Sequence, residues 1–276
     1  MVRVTRFRFL RQFLLGLVCV VMIAACGGGG GDTGAPADDA AGGGSDRLVV
    51  ATEPAFPPFE FQAEDGSLAG FDIDLMNAIG EAAGFEVEFQ SLPFDGIIPA
   101  LQTNIVDAAI SGMTITAVRL ETVDFSRPYI AAGLAIAVQE SNTDINSIGD
   151  LEGKRIAVQI GTTGADTANG VPDAQISTFD SAPLALQELS NGNADAVIND
   201  APVTLDAIAS GNIPGLKVIG ELVTEEYYGI ALPKGSPNLE RVNSGMATIL
   251  DNGTYAEIFQ TWFGAEPPEL PEEAPL

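Results

Sequence analysis

The stretch FDIDLMNAIGEAAGFEVEFQ, residues 71–90, carries the pattern that decides the fold. Its first part places apolar residues on one face of a predicted helix, namely Phe71, Leu75, Ala78, Ile79 and Ala82. Gly84 can end this helix, and FEVEFQ, residues 85–90, then alternates apolar and polar side chains as a strand does. Asp72, in the first turn, is most simply a carboxylate that favours the helix dipole.

The same alternation extends in both directions along the chain. RLVVAT, residues 47–52, is a predicted buried strand, and FDGIIPALQTN, residues 94–104, a predicted helix before the strand VDAAIS. A second series of strands and helices runs from LAIAVQ, residues 134–139, to LKVIG, residues 216–220. Two such series predict two α/β lobes, each a mostly parallel sheet flanked by helices.

The last predicted helix, TYAEIFQTWFG, has an aromatic face formed by Tyr255, Ile258, Phe259 and Trp262. Packing against the core explains this face better than a ligand platform does, because such a stripe at helical spacing is the ordinary mark of a buried surface.

Acidic residues dominate the charge of the chain. It has 276 residues with 38 Asp and Glu, 12 Lys and Arg, no His, and a formal net charge of −26. This balance excludes binding to a nucleic-acid backbone, which needs clustered cations. Without His, and with no metal-ligand cluster in the sequence, we expect neither a metal nor another cofactor.

The N-terminus is predicted to be a targeting segment. Four arginines lie in the first eleven residues, and the 13 apolar residues FLLGLVCVVMIAA follow. IAAC, ending at Cys26, resembles the lipobox of bacterial lipoproteins, in which the cysteine is lipidated; the alternative is an ordinary secretory signal with an incidental cysteine. Removal of residues 1–25 would leave Cys26 without a cysteine partner, so a structural disulfide is excluded. Residues 27–46, rich in glycine, are predicted to be a flexible tether.

Ligands of open α/β sheets bind beyond the carboxyl ends of the strands. The turns that follow predicted strands are therefore the candidate site. Four are informative: EPAFPPFEF, GMTITAVR, IGTTGAD and DAP.

These turns and their neighbours carry a resemblance to a known family. GFDIDL, FDGIIPALQTNIVDAAISGMTIT, VDFSRPY, AVQIGTTGA, ADAVINDAP, YYGIALPKGS and NGTYAEIFQTWFG occur in the order seen in periplasmic polar-amino-acid-binding proteins of ABC importers. The chain resembles these proteins over about residues 47–264. The resemblance implies a type II periplasmic-binding-protein fold, in which two lobes joined by two hinge strands close on a ligand.

Mapped onto this chain, the resemblance places hinge crossings near residues 131–135 and 224–228. The expected organisation is a signal peptide (1–25), a lipidated cysteine and tether (26–46), a first lobe (47–132 plus 228–264), a second lobe (137–223) and a disordered acidic tail (265–276). The expected protein is an exported monomer, anchored by lipid to the outer face of the cell membrane or periplasmic. Its expected partners are an amino acid and the permease and ATPase of an importer.

An amino acid offers an α-carboxylate and an α-ammonium, and neither tolerates a dry cleft unpaired. Arg119 supplies a forked donor for the carboxylate. The other expected carboxylate donors are small or hydroxyl-bearing residues of the same turns: Ser111, Gly112, Thr114, Thr162 and Thr163. The GTTG turn should present N–H groups at the start of a helix, where an anion binds favourably; the alternative is a plain strand–helix turn.

Asp200 matches the family's ammonium ligand, with Ser111 assisting, although a lone Asp before a helix is more often an N-cap. Both roles can hold together.

The ligand side chain is expected to meet Glu53, Phe56, Phe94, Gln159 and Asn199. For the two phenylalanines the alternative is core packing, and for Glu53 it is a solvated turn. Glutamine-binding relatives have Lys and His where this chain has Gln159 and Asn199, which leaves the distal pocket with an acid and no cation. This favours arginine, lysine or a related amino acid, with glutamine as the alternative and glutamate disfavoured.

Two other classes of function compete. Dehydratases and cell-wall-cleaving enzymes share this architecture, and Glu53 with Asp200 could form an acid pair, but the other candidate side chains suit holding better than reacting. A sensor domain would need a membrane span and an effector after the binding domain, and neither follows in this sequence. We therefore expect a binding protein and not an enzyme.

Overall fold

The computed structural model describes residues 46–276. The predicted signal segment, Cys26 and the tether up to residue 45 lie outside the described residues. Within residues 46–276, no helix is both long and apolar enough to cross a membrane.

The first five-stranded sheet has a mostly parallel order with one reversed strand. Its strands, from edge to edge, are β5 (Glu86–Ser91), β1 (Arg47–Thr52), β6 (Ala108–Ala109), β15 (Ala231–Pro233) and β7 (Val123–Phe125). β1 pairs in parallel with β5 and β6, whereas β15 is antiparallel to both of its neighbours. A small antiparallel sheet of β2 (Ala55–Phe56), β3 (Glu60–Gln62) and β4 (Leu68–Ala69) follows β1.

Five helices accompany this sheet: α1 (Phe71–Ala83), α2 (Phe94–Gln102), α3 (Ala117–Leu120), α7 (Asn238–Asp251) and α8 (Thr254–Phe263). α1 ends at Gly84 as predicted, in a left-handed conformation with φ 76° that a residue without Cβ adopts readily.

The aromatic face of α8 packs into the core as expected. Tyr255 and Phe259 are buried in the cluster that contains Phe71, and Ile258 and Trp262 pack against it. The packing interpretation of this face is thus confirmed.

The second five-stranded sheet repeats the same arrangement. Its order is β11 (Gln175–Phe179), β10 (Arg155–Gln159), β12 (Ala196–Asp200), β9 (Leu134–Gln139) and β13 (Leu216–Ile219), with β9 as the reversed strand. The helical elements of this lobe are a short 3₁₀ helix (Ile148–Leu151), α4 (Thr163–Asn169), α5 (Ala182–Ser190) and α6 (Ala201–Ala209). Its core is aliphatic, in contrast to the aromatic core of the first lobe.

Two strands join the lobes. β8 (Ile130–Ala132) and β14 (Glu226–Tyr228) form an antiparallel pair that belongs to neither large sheet. The chain enters the second sheet after β8 and returns to the first after β14. The predicted two-lobed α/β fold with two hinge strands is confirmed.

The terminal residues 265–276 contain no helix or strand. Leu270 nevertheless packs against the aromatic core of the first lobe, and Ala274 against its aliphatic cluster. The segment therefore runs along the body of the protein, and its disorder stays a prediction.

Candidate functional site

A cleft lies where the carboxyl ends of strands from both large sheets meet. Its lining comprises Phe56, Phe94, Ser111, Gly112, Thr114, Arg119, Gln159, Thr162, Thr163 and Asp200. All ten are residues that the sequence analysis selected. Only Glu53 and Asn199 of the predicted contact residues are missing from this lining.

Arg119 spans the cleft from the first lobe to the second. Its Nη1 donates to the carbonyl of Thr114 at 2.8 Å, and its Nη2 to the carbonyl of Gly161 at 3.0 Å. The guanidinium lies 5.5 Å from the ring centroid of Phe94. Burial lowers the pKa of Arg119 below its ordinary value, and the nearby carboxylates of Asp200 and Glu226 oppose this change. The group remains a cation, since an Arg is not deprotonated in proteins.

The opposing turns approach so closely that two positions require glycine. Gly161 has φ 77°, and a Cβ there would lie 3.1 Å from Cβ of Asp95 on α2. Gly112 has φ 53°, and a Cβ there would lie 2.7 Å from a ring carbon of Phe56. The small residues of both turns let the two lobes and the pocket walls come together.

Thr114 offers its backbone to the cleft. It stands opposite Tyr228 in an isolated bridge, but the bonds of that bridge join Ile115 to Tyr227 and Gly229 to Met113. In an antiparallel pair of this kind, the N–H and C=O of the central residue point outward. The carbonyl is the one that Arg119 holds, so the N–H beside it is placed to meet an anion.

Ser111 and Gly112 have different contacts from those expected of carboxylate donors. The Ser111 hydroxyl donates to Glu60 Oε1 at 2.8 Å and accepts from the N–H of Glu53 at 2.9 Å. The N–H of Gly112 donates to Asp72 Oδ2 at 2.9 Å. Asp72 is fully buried and accepts from this turn and from Tyr129, so its expected role as a simple helix-terminal carboxylate is incomplete. Both donors therefore already bind protein carboxylates. The contribution of Gly112 is mainly its missing Cβ, which lets the Phe56 ring come close to the turn.

The hydroxyls of the two threonines in the GTTG turn have different hydrogen-bond partners. The hydroxyl of Thr162 caps α4 by accepting from the N–H of Ala165 and donates to the carbonyl of Gln159. The hydroxyl of Thr163 donates to Glu226 Oε2 at 3.0 Å. Both hydroxyls thus donate to protein groups, and the expected role of the N–H groups of this turn stays a prediction.

Asp200 is the buried acid of the second lobe. It precedes α6, but its side chain makes no capping bond. Instead Oδ1 accepts from the hydroxyl of Tyr228 at 2.5 Å. Burial raises the pKa of Asp200 to about 7, while the bond from Tyr228 and the charge of Arg119 act to lower it. The group is therefore partly ionised near neutral pH, and a bound cation would favour its ionised form.

Glu226 and Tyr228 are site residues that the sequence analysis missed, because they lie in the hinge strand β14. Glu226 Oε2 accepts from the hydroxyls of Thr114, at 2.7 Å, and Thr163, and Oε1 accepts from Thr224 at 3.0 Å. One buried carboxylate thus joins both lobes and the hinge. Their spacing of two in a strand, which puts both side chains on one face, was the available signal.

Glu53 lies behind the lining residue Gln159. It is buried, and its Oε2 accepts from Gln159 Nε2 across the lobes at 3.4 Å; the same amide nitrogen donates to the carbonyl of Asp180 at 3.2 Å. Burial raises the pKa of Glu53 to about 7, and the bond from Gln159 opposes the rise. This placement disagrees with the alternative of a solvated turn acid.

Asn199 lies outside the cleft lining. Its amide donates to Thr204 Oγ1 at 3.1 Å and to the carbonyl of Asp200 at 3.3 Å. The side chain supports the start of α6. Its predicted contact with a ligand side chain has no counterpart in this arrangement.

No group of three or more His, Cys, Asp or Glu side chains in the described range 46–276 is arranged to hold a metal ion.

The chain is similar in sequence and in fold to known proteins. Residues 48–265 match the bacterial extracellular solute-binding proteins, family 3. The L-cystine-binding protein TcyJ of Escherichia coli (strain K12) is 32% identical over 222 residues, covering 79% of this chain and 83% of that protein. The arginine-binding periplasmic protein of Mannheimia haemolytica is 33% identical over 225 residues, covering 79% and 92%. A solved structure of an ancestral arginine-binding protein bound to arginine is 44% identical with a TM-score of 0.77, covering 79% and 99%.

Proposed function

The chain belongs to the bacterial extracellular solute-binding proteins of family 3, and from this premise we propose that it captures an amino acid, arginine foremost, for an ABC importer. One observation carries the proposal: the cation Arg119 and the buried acid Asp200 line the same cleft, and a second buried acid, Glu53, accepts from the lining residue Gln159. A ligand with one carboxylate and two cationic groups complements this set of charges.

The backbone end of the ligand fits between Arg119 and Asp200. The ligand carboxylate accepts from the free guanidinium donors of Arg119 and from the N–H of Thr114. The α-ammonium donates to Asp200, and the second lone pair of the Ser111 hydroxyl is a further acceptor. Each hydrogen bond to a charged group contributes roughly 1.5–3 kcal/mol, so these contacts fix the part common to all amino acids.

The far end of the cleft selects the side chain. Glu53 supplies a carboxylate for a guanidinium or ammonium group. The amide nitrogen of Gln159 donates both to this carboxylate and to the carbonyl of Asp180. Phe56 and Phe94 line the space between the two ends, where their faces can hold a cationic side chain. Ionisation of Glu53 on binding a cation is favourable because the opposite charge offsets the effect of burial.

Glutamine is the second candidate, favoured by one specific observation. The pKa of Glu53 is about 7, so a fraction of the group is protonated at neutral pH. A protonated Glu53 together with the amide of Gln159 can pair with an uncharged amide side chain. The preference for arginine therefore depends on the charge state of Glu53.

Capture is proposed to proceed by lobe closure. Bonds between the lobes run from Arg119 to Gly161 and from Gln159 to Glu53, and Glu226 links hydroxyls of both lobes. A ligand that contacts both lobes shifts the population towards this closed arrangement. Opening at the importer would then release it.

We propose binding without catalysis. The two acids that could form a catalytic pair are held separately, Asp200 by Tyr228 and Glu53 by Gln159. In residues 46–276 the cleft lining contains no Cys, Lys or His that could serve as a nucleophile or general base. Export, lipid attachment at Cys26 and a monomeric state remain parts of the proposal.

The test is isothermal titration calorimetry with each of the twenty amino acids near pH 8. Arginine is expected to bind most tightly, lysine next, and glutamate not at all. Tight binding of glutamine alone would refute the preference for cations, while no binding by any amino acid would refute the function. Recovery of unchanged arginine after long incubation checks the absence of catalysis.

A further inference from the structure

Beneath the binding turn lies a pair of acids that ligand binding does not use. Glu60, on β3, and Asp72, on α1, are both fully buried. Both approach the same turn, where Glu60 accepts from Ser111 and Asp72 from Gly112, and each carboxyl group affects the pKa of the other. Two carboxylates in contact repel each other strongly in a medium of low dielectric constant, so they cannot both be ionised there.

The hydrogen bonds of the pair account for two of its four oxygens. Glu60 Oε1 accepts from the Ser111 hydroxyl, and Asp72 Oδ2 accepts from the N–H of Gly112 and from the hydroxyl of Tyr129 at 2.8 Å. The remaining oxygens, Glu60 Oε2 and Asp72 Oδ1, are buried, and no protein donor reaches them within the described residues. A proton between these two oxygens satisfies both at once.

Within residues 46–276, no cation faces the pair that could take the place of this proton. The titratable groups of the described residues that face the pair are Glu53, beyond the end of β1, Tyr129, before β8, and Tyr228, on β14. One is an acid and two are phenols. The charge of a doubly ionised pair would therefore be uncompensated.

We propose that Glu60 and Asp72 share one proton, and that this pair positions the Ser111–Gly112 turn against the ligand. In this role Glu60 is the protonated partner and Asp72 the carboxylate. Each acid accepts a hydrogen bond from one residue of the turn, Glu60 from Ser111 and Asp72 from Gly112. Both acids are positioning residues, because they act on the ligand through the turn.

The charge states expected at neutral pH agree with the geometry. Burial raises the pKa of Glu60 well above its usual range, and the charge of Asp72 adds to the rise. Since the folded-state pKa is raised, the contribution to stability is fully present below the ordinary pKa of a carboxyl group. It is lost as the pH rises from that value through the raised pKa.

The substitution Glu60→Gln tests the shared proton, since an amide is a fixed donor of the same shape. Its Nε2 would donate to Asp72 and its Oε1 would still accept from Ser111. The matched control is Glu88→Gln, an exposed glutamate paired with Arg47. Denaturant unfolding between about pH 6 and about pH 8 should show the unfolding equilibrium constant of the wild type rising, per pH unit, by a factor close to tenfold larger than that of Glu60→Gln, the effect of one proton. Glu88→Gln should retain the wild-type slope.

Infrared difference spectra provide a second measurement that needs no ligand. Near pH 8.5, where Glu53 and Asp200 are ionised, the wild type and Glu88→Gln should retain a protonated-carboxyl carbonyl band that Glu60→Gln lacks. A wild-type spectrum without that band, an unchanged pH slope in Glu60→Gln, or failure of Glu60→Gln to fold would each overturn the shared proton.

The positioning role is tested with arginine as the probe, and this arm alone rests on the proposed function. Glu60→Gln should bind arginine within about threefold of the wild type, whereas Glu60→Ala should lose tenfold or more. Equal losses in the two variants would overturn positioning by the pair. If the wild type itself does not bind arginine, the proposed function fails while the unfolding and infrared results still decide the shared proton.

Discussion

The guanidinium of Arg119 in the first lobe donates to the carbonyl of Gly161 in the second, 42 residues further along the chain. It also holds the carbonyl of Thr114 in its own lobe. Arg119 is therefore both the proposed anchor for a ligand carboxylate and a link between lobes. Substitutions here should affect capture and closure together.

Arg119→Ala is expected to weaken arginine binding by about a hundredfold or more, since it removes a forked, charge-assisted contact worth roughly 1.5–3 kcal/mol per bond. Calorimetry measures the loss. Arg155→Ala, at an exposed ion pair with Asp195 in the second lobe, is the control and should bind normally. A loss smaller than fivefold for Arg119→Ala would remove Arg119 from the carboxylate site.

Glu53→Gln should shift the preference of the cleft from arginine towards glutamine. Arginine affinity is expected to fall about tenfold or more, because the distal carboxylate is lost, while glutamine affinity should hold or rise. Competition calorimetry with the two amino acids measures the ratio, with Glu88→Gln as the control. An unchanged ratio would contradict the role of Glu53 in selecting the side chain.

Tyr228→Phe removes the hydroxyl that donates to Asp200. Since this bond holds the pKa of Asp200 down against burial, its loss should raise that pKa further above about 7. Affinity near pH 7 should then fall several-fold and recover towards the wild-type value at higher pH. Tyr227→Phe, whose hydroxyl contacts the exposed Glu225, is the control. A loss that does not depend on pH would indicate damaged packing instead.

Arginine binding should weaken as the medium becomes acidic. Burial raises the pKa of both Glu53 and Asp200 to about 7, and a cationic ligand binds their ionised forms. Affinity is expected to fall tenfold or more between about pH 8 and about pH 5.5. Folding stability of the protein alone should change in the other direction. For acids with raised pKa, that contribution is fully present below the ordinary pKa of a carboxyl group and is lost as the pH rises through about 7. Calorimetry and denaturant unfolding over the same pH series check both signs.

Thr163→Val should shift the protein towards the open arrangement by removing the hydroxyl that binds Glu226. Förster transfer between dyes on the two lobes should report a lower closed population at every arginine concentration below saturation. Thr178→Val, at an exposed position of β11, is the control. If Thr163 acts through Glu226, adding Glu226→Gln should produce less than the sum of the two single effects. Additive effects would assign the Thr163 hydroxyl to the ligand.

Much of the architecture could be predicted because it is written in local patterns. The helical spacing from Phe71 to Ala82, the glycine at position 84 and the alternation of strands with helices each have a short-range physical cause. The resemblance in motif order added the two lobes and the hinge. The ten lining residues were found by the same route, because ligands bind at strand ends.

The protein partners of individual donors could not be predicted where contacts join distant segments. The hydroxyls of Thr162 and Thr163, the N–H of Gly112 and the amide of Asn199 are all occupied by other protein groups. No local sequence pattern predicts these hydrogen bonds, because the partners lie far apart in the chain. Thr163 and Glu226, for example, are 63 residues apart.

The sequence by itself determined the kind of groups available: one cation and several acids at the ends of strands, spaced by small residues. Only the tertiary structure decided how they pair. It brought Glu60 against Asp72, Tyr228 against Asp200, and Glu226 against threonines of both lobes. The physical reason is that burial removes water as a partner, so each polar group must find another in the folded chain, and the packing of distant segments dictates which one.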